Sequence, residues 1–331
     1  GSGGGGGRLS ISYISSTLSG TVTANGGTAP RGGVGNGQNG TVYLYDSANN
    51  DLYVKNSQTW SANPADAGSS HTYRDIFVQN NSILSLLGYY TTESDGVGFT
   101  FNARNITVGS GSSMNTNGGG YSGGIVGHAQ GYGPGGAPND CNDSRGGGAY
   151  GGVGGAASTG ASGLGGAGGG ALKLNVSNLL TIDGTIASNG ANAAASSAGS
   201  GGSLWIITKD TTGNGVITTN GGNGVSRNCS AGGGGGRLSY NYSGTNGFSG
   251  TLTSNGGSGD CYGAYPGTLV IVDTTNNDLT VKTSQTWYSN PAMDGSVHSF
   301  HKMTVQNSTT LTLKGYYTND TDGVGFVFNL N

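Results

Sequence analysis

The chain has 331 residues, 71 of them glycine against a usual share of about 7%, with only 9% charged residues and a net charge of −3. Six prolines without a Gly-X-Y register exclude collagen, and no apolar run of about 18 residues is present to cross a membrane as a helix. Thirteen basic residues scattered singly give no footprint for nucleic acid, and a single glutamate, Glu93, argues against a helix-rich enzyme.

In chain order, residues 9–13 open in strand-like sequence after GGGGGR. Short runs rich in β-branched and aromatic residues follow at 41–45 (TVYLY), 172–176 (LKLNV), 204–207 (LWII) and 269–272 (LVIV), and residues 324–330 close in another. Each run is bounded by Asn-Gly or Gly-Gly punctuation, the signature of strands separated by turns. This pattern separates the chain from a flexible Gly/Ser linker, whose composition it shares. Between residues 118 and 170 lies a Gly-rich insert of 53 residues with 24 glycines, expected to fold against the rest as a flap or lateral lobe.

Two repeats organise these elements. Residues 3–102 open GGGGGRLS and close DGVGFTFN; residues 232–329 open GGGGGRLS and close DGVGFVFN, sharing NNDL-VK-SQTW and VQN-LGYY/KGYY phrases between. The chain therefore divides into a first copy (1–104), a middle section (105–230, with the insert 118–170) and a second copy (231–331), expected to form one continuous solenoid. Inside this period runs a shorter one: GTVTANGG (20–27), GTIASNG (184–190), GVITTNGG (215–222) and GTLTSNGG (250–257), each leading through a Gly-rich loop into a strand. Such a unit cannot bury its own apolar side, so neighbours must stack. Asn189, Asn220 and Asn255 are expected at one corner, bonded side chain to side chain along the axis. The fold class expected is all-β, a right-handed parallel β-helix of about ten coils without helices.

The phrases GGGALKLNV, LTIDGTIASNG, GGSLWI, GVITTNGG and GGGGGRLSY resemble the glycine-rich tandem repeats of very large bacterial surface proteins. That resemblance implies pectin-lyase-like parallel β-helices with adhesive or envelope roles. It supplies no catalytic residue.

Candidate chemistry is sparse. Glu93–Asp95 and Asp320–Asp322 recur at the same place in both copies, in ESDG and NDTDG, which fits turns better than the paired acids of a glycosidase. His71 and His298 recur before a strand without a constant partner, and Trp60 and Trp287 share one SQTW position; both pairs read as packing. No catalytic residue, cofactor site or metal site is predicted. Cys229 and Cys261 fall in successive Gly-rich loops and are the disulfide candidates, with Cys141–Cys229 as the rival pairing; either implies an oxidising compartment. Sequons at Asn39, Asn80, Asn105, Asn142, Asn175, Asn228, Asn241, Asn307 and Asn319 permit glycosylation, in numbers that composition explains.

Uncapped strand-like ends favour head-to-tail contacts, with Leu9, Ile11, Tyr13, Val324, Phe326 and Phe328 as the polymer interface candidates. The function expected is a structural subunit of an extracellular or cell-surface filament whose partner is itself. The alternative is a fragment of a large adhesin or glycan-binding stalk, with surface glycans as partners. A β-helix polysaccharide lyase or hydrolase is the remote third. Neither nucleic acid nor membrane insertion enters this reading.

Overall fold

A computed structural model describes residues 2–18, 22–29, 36–37, 40–63, 65, 69–90, 96–124, 131–134, 154, 165–193, 197–225, 230–260, 263–289, 297–306, 308–315 and 325–330. Among them the chain is all-β, with 22 strands and no helix. Accordingly no helix is long and apolar enough to cross a membrane.

Twelve strands form the larger sheet. In chain order these are β1 (Arg8–Tyr13), β2 (Thr41–Asp46), β3 (Asp51–Val54), β5 (Ser70–Val78), β7 (Phe99–Val108), β9 (Ala171–Ile182), β11 (Ser203–Gly213), β13 (Arg237–Tyr242), β14 (Asn246–Phe248), β16 (Thr268–Asp273), β17 (Asp278–Val281) and β20 (Lys302–Val305). A second sheet holds β4 (Gln58–Ser61), β6 (Ile83–Leu87), β8 (Ser113–Asn115), β10 (Thr185–Ala187), β12 (Val216–Thr218) and β15 (Thr251–Thr253). Two small pairs complete the set: β18 (Gln285–Tyr288) with β21 (Leu311–Lys314), and β19 (Val297–Phe300) with β22 (Val327–Leu330). Through the middle of the chain, successive strands alternate between the two sheets, and each pairs in parallel with its predecessor on the same sheet.

The period-two alternation predicts which side chains meet, and the register places them in columns. Phe101, Leu174, Ile206, Tyr240 and Ile271 lie side by side across β7, β9, β11, β13 and β16, all buried. Ile76, Ile106 and Leu180 form a second buried column across β5, β7 and β9. Facing them from the other sheet run Leu84, Met114, Ile186, Ile217 and Leu252. These columns join in one core cluster that extends from Leu52 to Ile271.

One expectation needs correction: the large sheet is mixed, not purely parallel. β2 turns back antiparallel onto β3, and β16 onto β17. The cause is a local turn that both copies share. Asp46 Oδ1 accepts the Ala48 and Asn49 amides at 3.0 and 3.2 Å, while Asn50 takes a left-handed φ of 60°. Asp273, Thr275, Asn276 and Asn277 (φ 53°) repeat it. Asx acceptors and left-handed Asn residues are the ordinary means of reversing a chain this tightly. The two copies otherwise keep identical register: Asp51 opposes Asp75 as Asp278 opposes Lys302, and Gln58 opposes Leu84 as Gln285 opposes Leu311.

The Gly-rich segments form no sheet, yet their backbones are paired in a regular way. Segments entering the large sheet bond in parallel to one another: Gly166 and Gly169 donate to Ser197 and Ser200 (2.8 Å each), and Ala198 and Gly201 donate to Ala231 and Gly234. Across a second direction they meet the outgoing Asn-Gly segments antiparallel. Gly199 and Gly202 donate to Ala191 and Ser188, and Gly233 and Gly236 to Gly222 and Thr219. Donors and acceptors both recur every three residues, the period of a polyproline-II chain. Two layers of extended glycine backbone thus lie against each other. A Cβ on Gly233 would stand 1.9 Å from the Gly199 carbonyl oxygen, which only glycine avoids.

The ends of the insert belong to these layers, since Gly118 donates to Asn189 and Gly168 to Tyr121 (2.8 Å each), with Tyr121 buried. Most of the lobe expected between them lies outside the described residues. At the corner, Asn117, Asn189, Asn220 and Asn255 do stack. Each side-chain Oδ1 accepts the main-chain N–H of the next asparagine at 2.7 Å, in place of the side-chain to side-chain bonds expected.

Candidate functional surfaces

The carboxylates with the strongest sequence claim, Glu93, Asp95, Asp320 and Asp322, lie outside the described residues, as do His128 and all three cysteines. Both disulfide pairings therefore fall on undescribed positions. Among the described residues no group of three or more His, Cys, Asp or Glu could hold a metal ion.

His71 lies within an aromatic cluster. Its ring stacks on Phe101 at 5.3 Å and on Phe99 at 6.1 Å, with Trp60 edge-on at 5.2 Å. His298 repeats this with Phe328 (5.5 Å), Phe326 (6.1 Å) and Trp287 (5.4 Å). Tyr43, Tyr45 and Tyr73 continue the first cluster, and burial first, then a hydroxyl contact with Tyr43, pushes the Tyr73 phenol far above its ordinary value.

The shortest ionic contacts join residues on neighbouring strands. Arg74 pairs with buried Asp51 on β3 and approaches Asp75 at 3.3 Å, while Arg104 holds Asp75 at 2.6 Å. In the second copy the equivalent trio is Asp278, His301 and Lys302, with His301 Nδ1 2.8 Å from Asp278 Oδ1. Asp46 and Asp273, the hairpin acceptors, are both held below the ordinary carboxylate range. The Asn49 side-chain amide is the main cause for Asp46, and the Asn276 backbone N–H for Asp273.

The outward face of the large sheet carries the features that single-run reading of the sequence missed. Asn175 Nδ2 donates to Asn102 Oδ1 at 2.8 Å, and Asn241 Nδ2 to the Ile206 carbonyl at 3.0 Å, so these residues form a row across the strands. Beside that row Lys173 Nζ lies 3.9 Å from the ring centre of half-exposed Trp205. Where Ser177 and Asn178 of β9 together oppose the single residue Arg104, a β-bulge bends the face. There Thr72, Asn102, Arg104, Asn175, Ser177 and Ile207 line an open groove of about 450 Å³. The signal available was the alternate positions of LKLNV and LWIIT, where Lys173, Asn175 and Trp205 interrupt the apolar residues.

The sequons divide by place. Asn105, Asn175 and Asn241 already donate their Nδ2 groups, and Asn80 sits exposed in a turn with φ 60°. Asn39, Asn142, Asn228, Asn307 and Asn319 lie outside the described residues. Of the polymer interface candidates, Leu9, Ile11 and Tyr13 lie on the outermost strand of the large sheet, and Phe326 and Phe328 at the outer edge formed by β22. Val324 is not described. Comparison with models of protein families, with curated proteins and with solved structures finds no match to this chain.

Proposed function

We propose that the chain is a non-catalytic structural subunit of an extracellular filament or cell-surface fibre, a right-handed parallel β-helix joined head to tail through its end coils. One observation carries this reading. The same repeat buries its apolar residues in one context and bares them in another. Leu313 is 42% exposed where its counterpart Leu86 is 0%, Val305 is 43% where Val78 is 0%, and Leu9 is 39% where Leu238 is 1%. Bare strand edges with apolar columns invite another chain to continue the pairing. A contact between unlike ends does not close on itself and builds an open filament. The resemblance to glycine-rich surface repeats supports the same placement at the cell surface.

Electron microscopy of the purified, untreated protein tests this. About ten coils at a strand spacing of ~4.8 Å give filaments with an axial repeat near 48 Å. Isolated short rods at high protein concentration would overturn it.

The outward row of Asn102, Asn175 and Asn241 beside Trp205 favours a second reading, a glycan-binding stalk, because amides beside an aromatic platform suit sugar hydroxyls and ring faces. Glycan binding that Trp205→Ala abolishes would support it.

A further inference from the structure

We propose that the outer edge of β22 in one copy pairs in parallel with the outer edge of β1 in the next, in one register: Phe326 beside Leu9, Phe328 beside Ile11 and Leu330 beside Tyr13. This rests on the head-to-tail reading and specifies its contact.

In the interior of the chain both edges already have partners. Residues 326–330 repeat Phe99–Ala103 of β7, and inside the chain β9 lies on that strand with Phe99 beside Leu172 and Phe101 beside Leu174. Residues 8–13 repeat Arg237–Tyr242 of β13, and β11 lies there with Leu204 beside Leu238 and Ile206 beside Tyr240. The coil that covers β7 begins Gly170-Ala-Leu-Lys-Leu174; β1 begins Gly7-Arg-Leu-Ser-Ile11, the same spacing of glycine and two inward aliphatics. Leu172, Leu204 and Leu238 stand in one column, so Leu9, the repeat of Leu238, is the residue that continues it over Phe326. A shift of one residue would turn Leu9 and Ile11 outward and put Ser10 and Ser12 against the phenylalanines. The inner edges are occupied, β22 by β19 and β1 by β2, so a second copy joining either strand meets it at its outer edge. Pairing two like ends would oppose strand directions and break every column; unlike ends preserve them.

Outward positions give the test. Asn329 and Ser12 are brought side by side by this register, as Asn102 and Asn175 are inside the chain. Adjacent parallel strands separate Cα atoms by about 4.8 Å, within reach of a disulfide. A chain carrying both Asn329→Cys and Ser12→Cys, assembled and then oxidised, is expected to give a ladder of covalent multimers, with the bridged peptide identified by mass spectrometry. The slipped combination of Asn329→Cys with Ser10→Cys is expected to give at least tenfold less. Filaments with equal or stronger cross-linking in the slipped combination, or with none in either, overturn the register while leaving head-to-tail assembly standing. Absence of filaments from the unaltered chain overturns both.

Discussion

The half of the molecule built from sheets and the half built from glycine layers solve one problem by opposite means. In the sheets, strands pair through their backbones along one direction, and the space between the sheets is filled by columns of Leu, Ile, Val and Phe. In the glycine layers, backbone hydrogen bonds run in two directions, and the space between layers is filled by the backbone itself. The sheet half tolerates changes in side-chain volume to a degree, because rotamers can adjust. The glycine half has nothing to adjust. A large glycine content here specifies close packing, where in a linker it specifies freedom.

The two halves differ most at the layer contacts. A Cβ on Gly222 falls 2.2 Å from the Ala191 carbonyl oxygen, so Gly222→Ala or Gly233→Ala is expected to cost about 4 kcal/mol or more in denaturant unfolding, the exceptional end of the range. Gly263→Ala, with nothing within 4 Å of the added carbon, should stay within about 0.5 kcal/mol of the parent. Equal costs at Gly222 and Gly263 would mean the layers are not close-packed. In the sheet half the matching change is Leu174→Ala, which empties the middle of a buried column and should cost roughly 3 kcal/mol, whereas Leu174→Met should cost less than about 1.5 kcal/mol.

Alkali probes the sheet half through Tyr240. Tyr240 is fully buried, donates to Asn246 Oδ1 at 2.8 Å and contacts the Thr211 hydroxyl; burial pushes its phenol up to about 12. A folded value above the unfolded one, about 10, means that stability is intact below pH 10 and is lost as pH climbs toward 12. The loss is of order 2 kcal/mol for this residue, and Tyr73 acts in the same direction. Tyr240→Phe should lower stability at neutral pH and flatten the decline between pH 10 and 12; an unchanged decline would remove Tyr240 as its cause. At the acid end the sign reverses. Asp46 and Asp273 sit below the unfolded carboxylate value, so their hairpins hold above about pH 4 and loosen as pH falls through the folded values.

How much of this was legible follows from where the information sits. The duplication, the strand runs and the asparagine corner are written in side chains that recur, and Asn189, Asn220 and Asn255 fall where that recurrence puts them. The hairpins were hidden because NNDL stands between two apolar runs and reads equally as a loop leading to a new coil. For the insert only a flap or lateral lobe was anticipated, yet the Gly-rich segments at 165–170, 197–202 and 231–236 all take part in the layers. Glycine carries no side chain to reveal a three-residue period, and the period shows only when a neighbouring backbone is set beside it. The pairing of Arg74 with Asp51 was equally invisible, since residues so far apart meet only through the register of β3 on β5.

The smallest effect sharpens the contrast from the other side. Backbone polar groups of the glycine layers find partners because each faces another backbone. The sheet half, by contrast, buries Gln58 and its repeat Gln285 with both amide atoms unpartnered among the described residues. Gln58 stands beside Leu84 in the register, at the border of the aliphatic columns. A buried amide without a partner costs about 1–3 kcal/mol, and replacing it with an apolar side chain of similar size removes that cost. Gln58→Leu is therefore expected to stabilise the chain by about 1 kcal/mol in thermal or denaturant unfolding. Destabilisation of that size would mean that an ordered water completes the amide, as buried polar groups often require. The buried Gln58 amide would then be satisfied by solvent, where the backbone groups of the glycine layers are satisfied by one another.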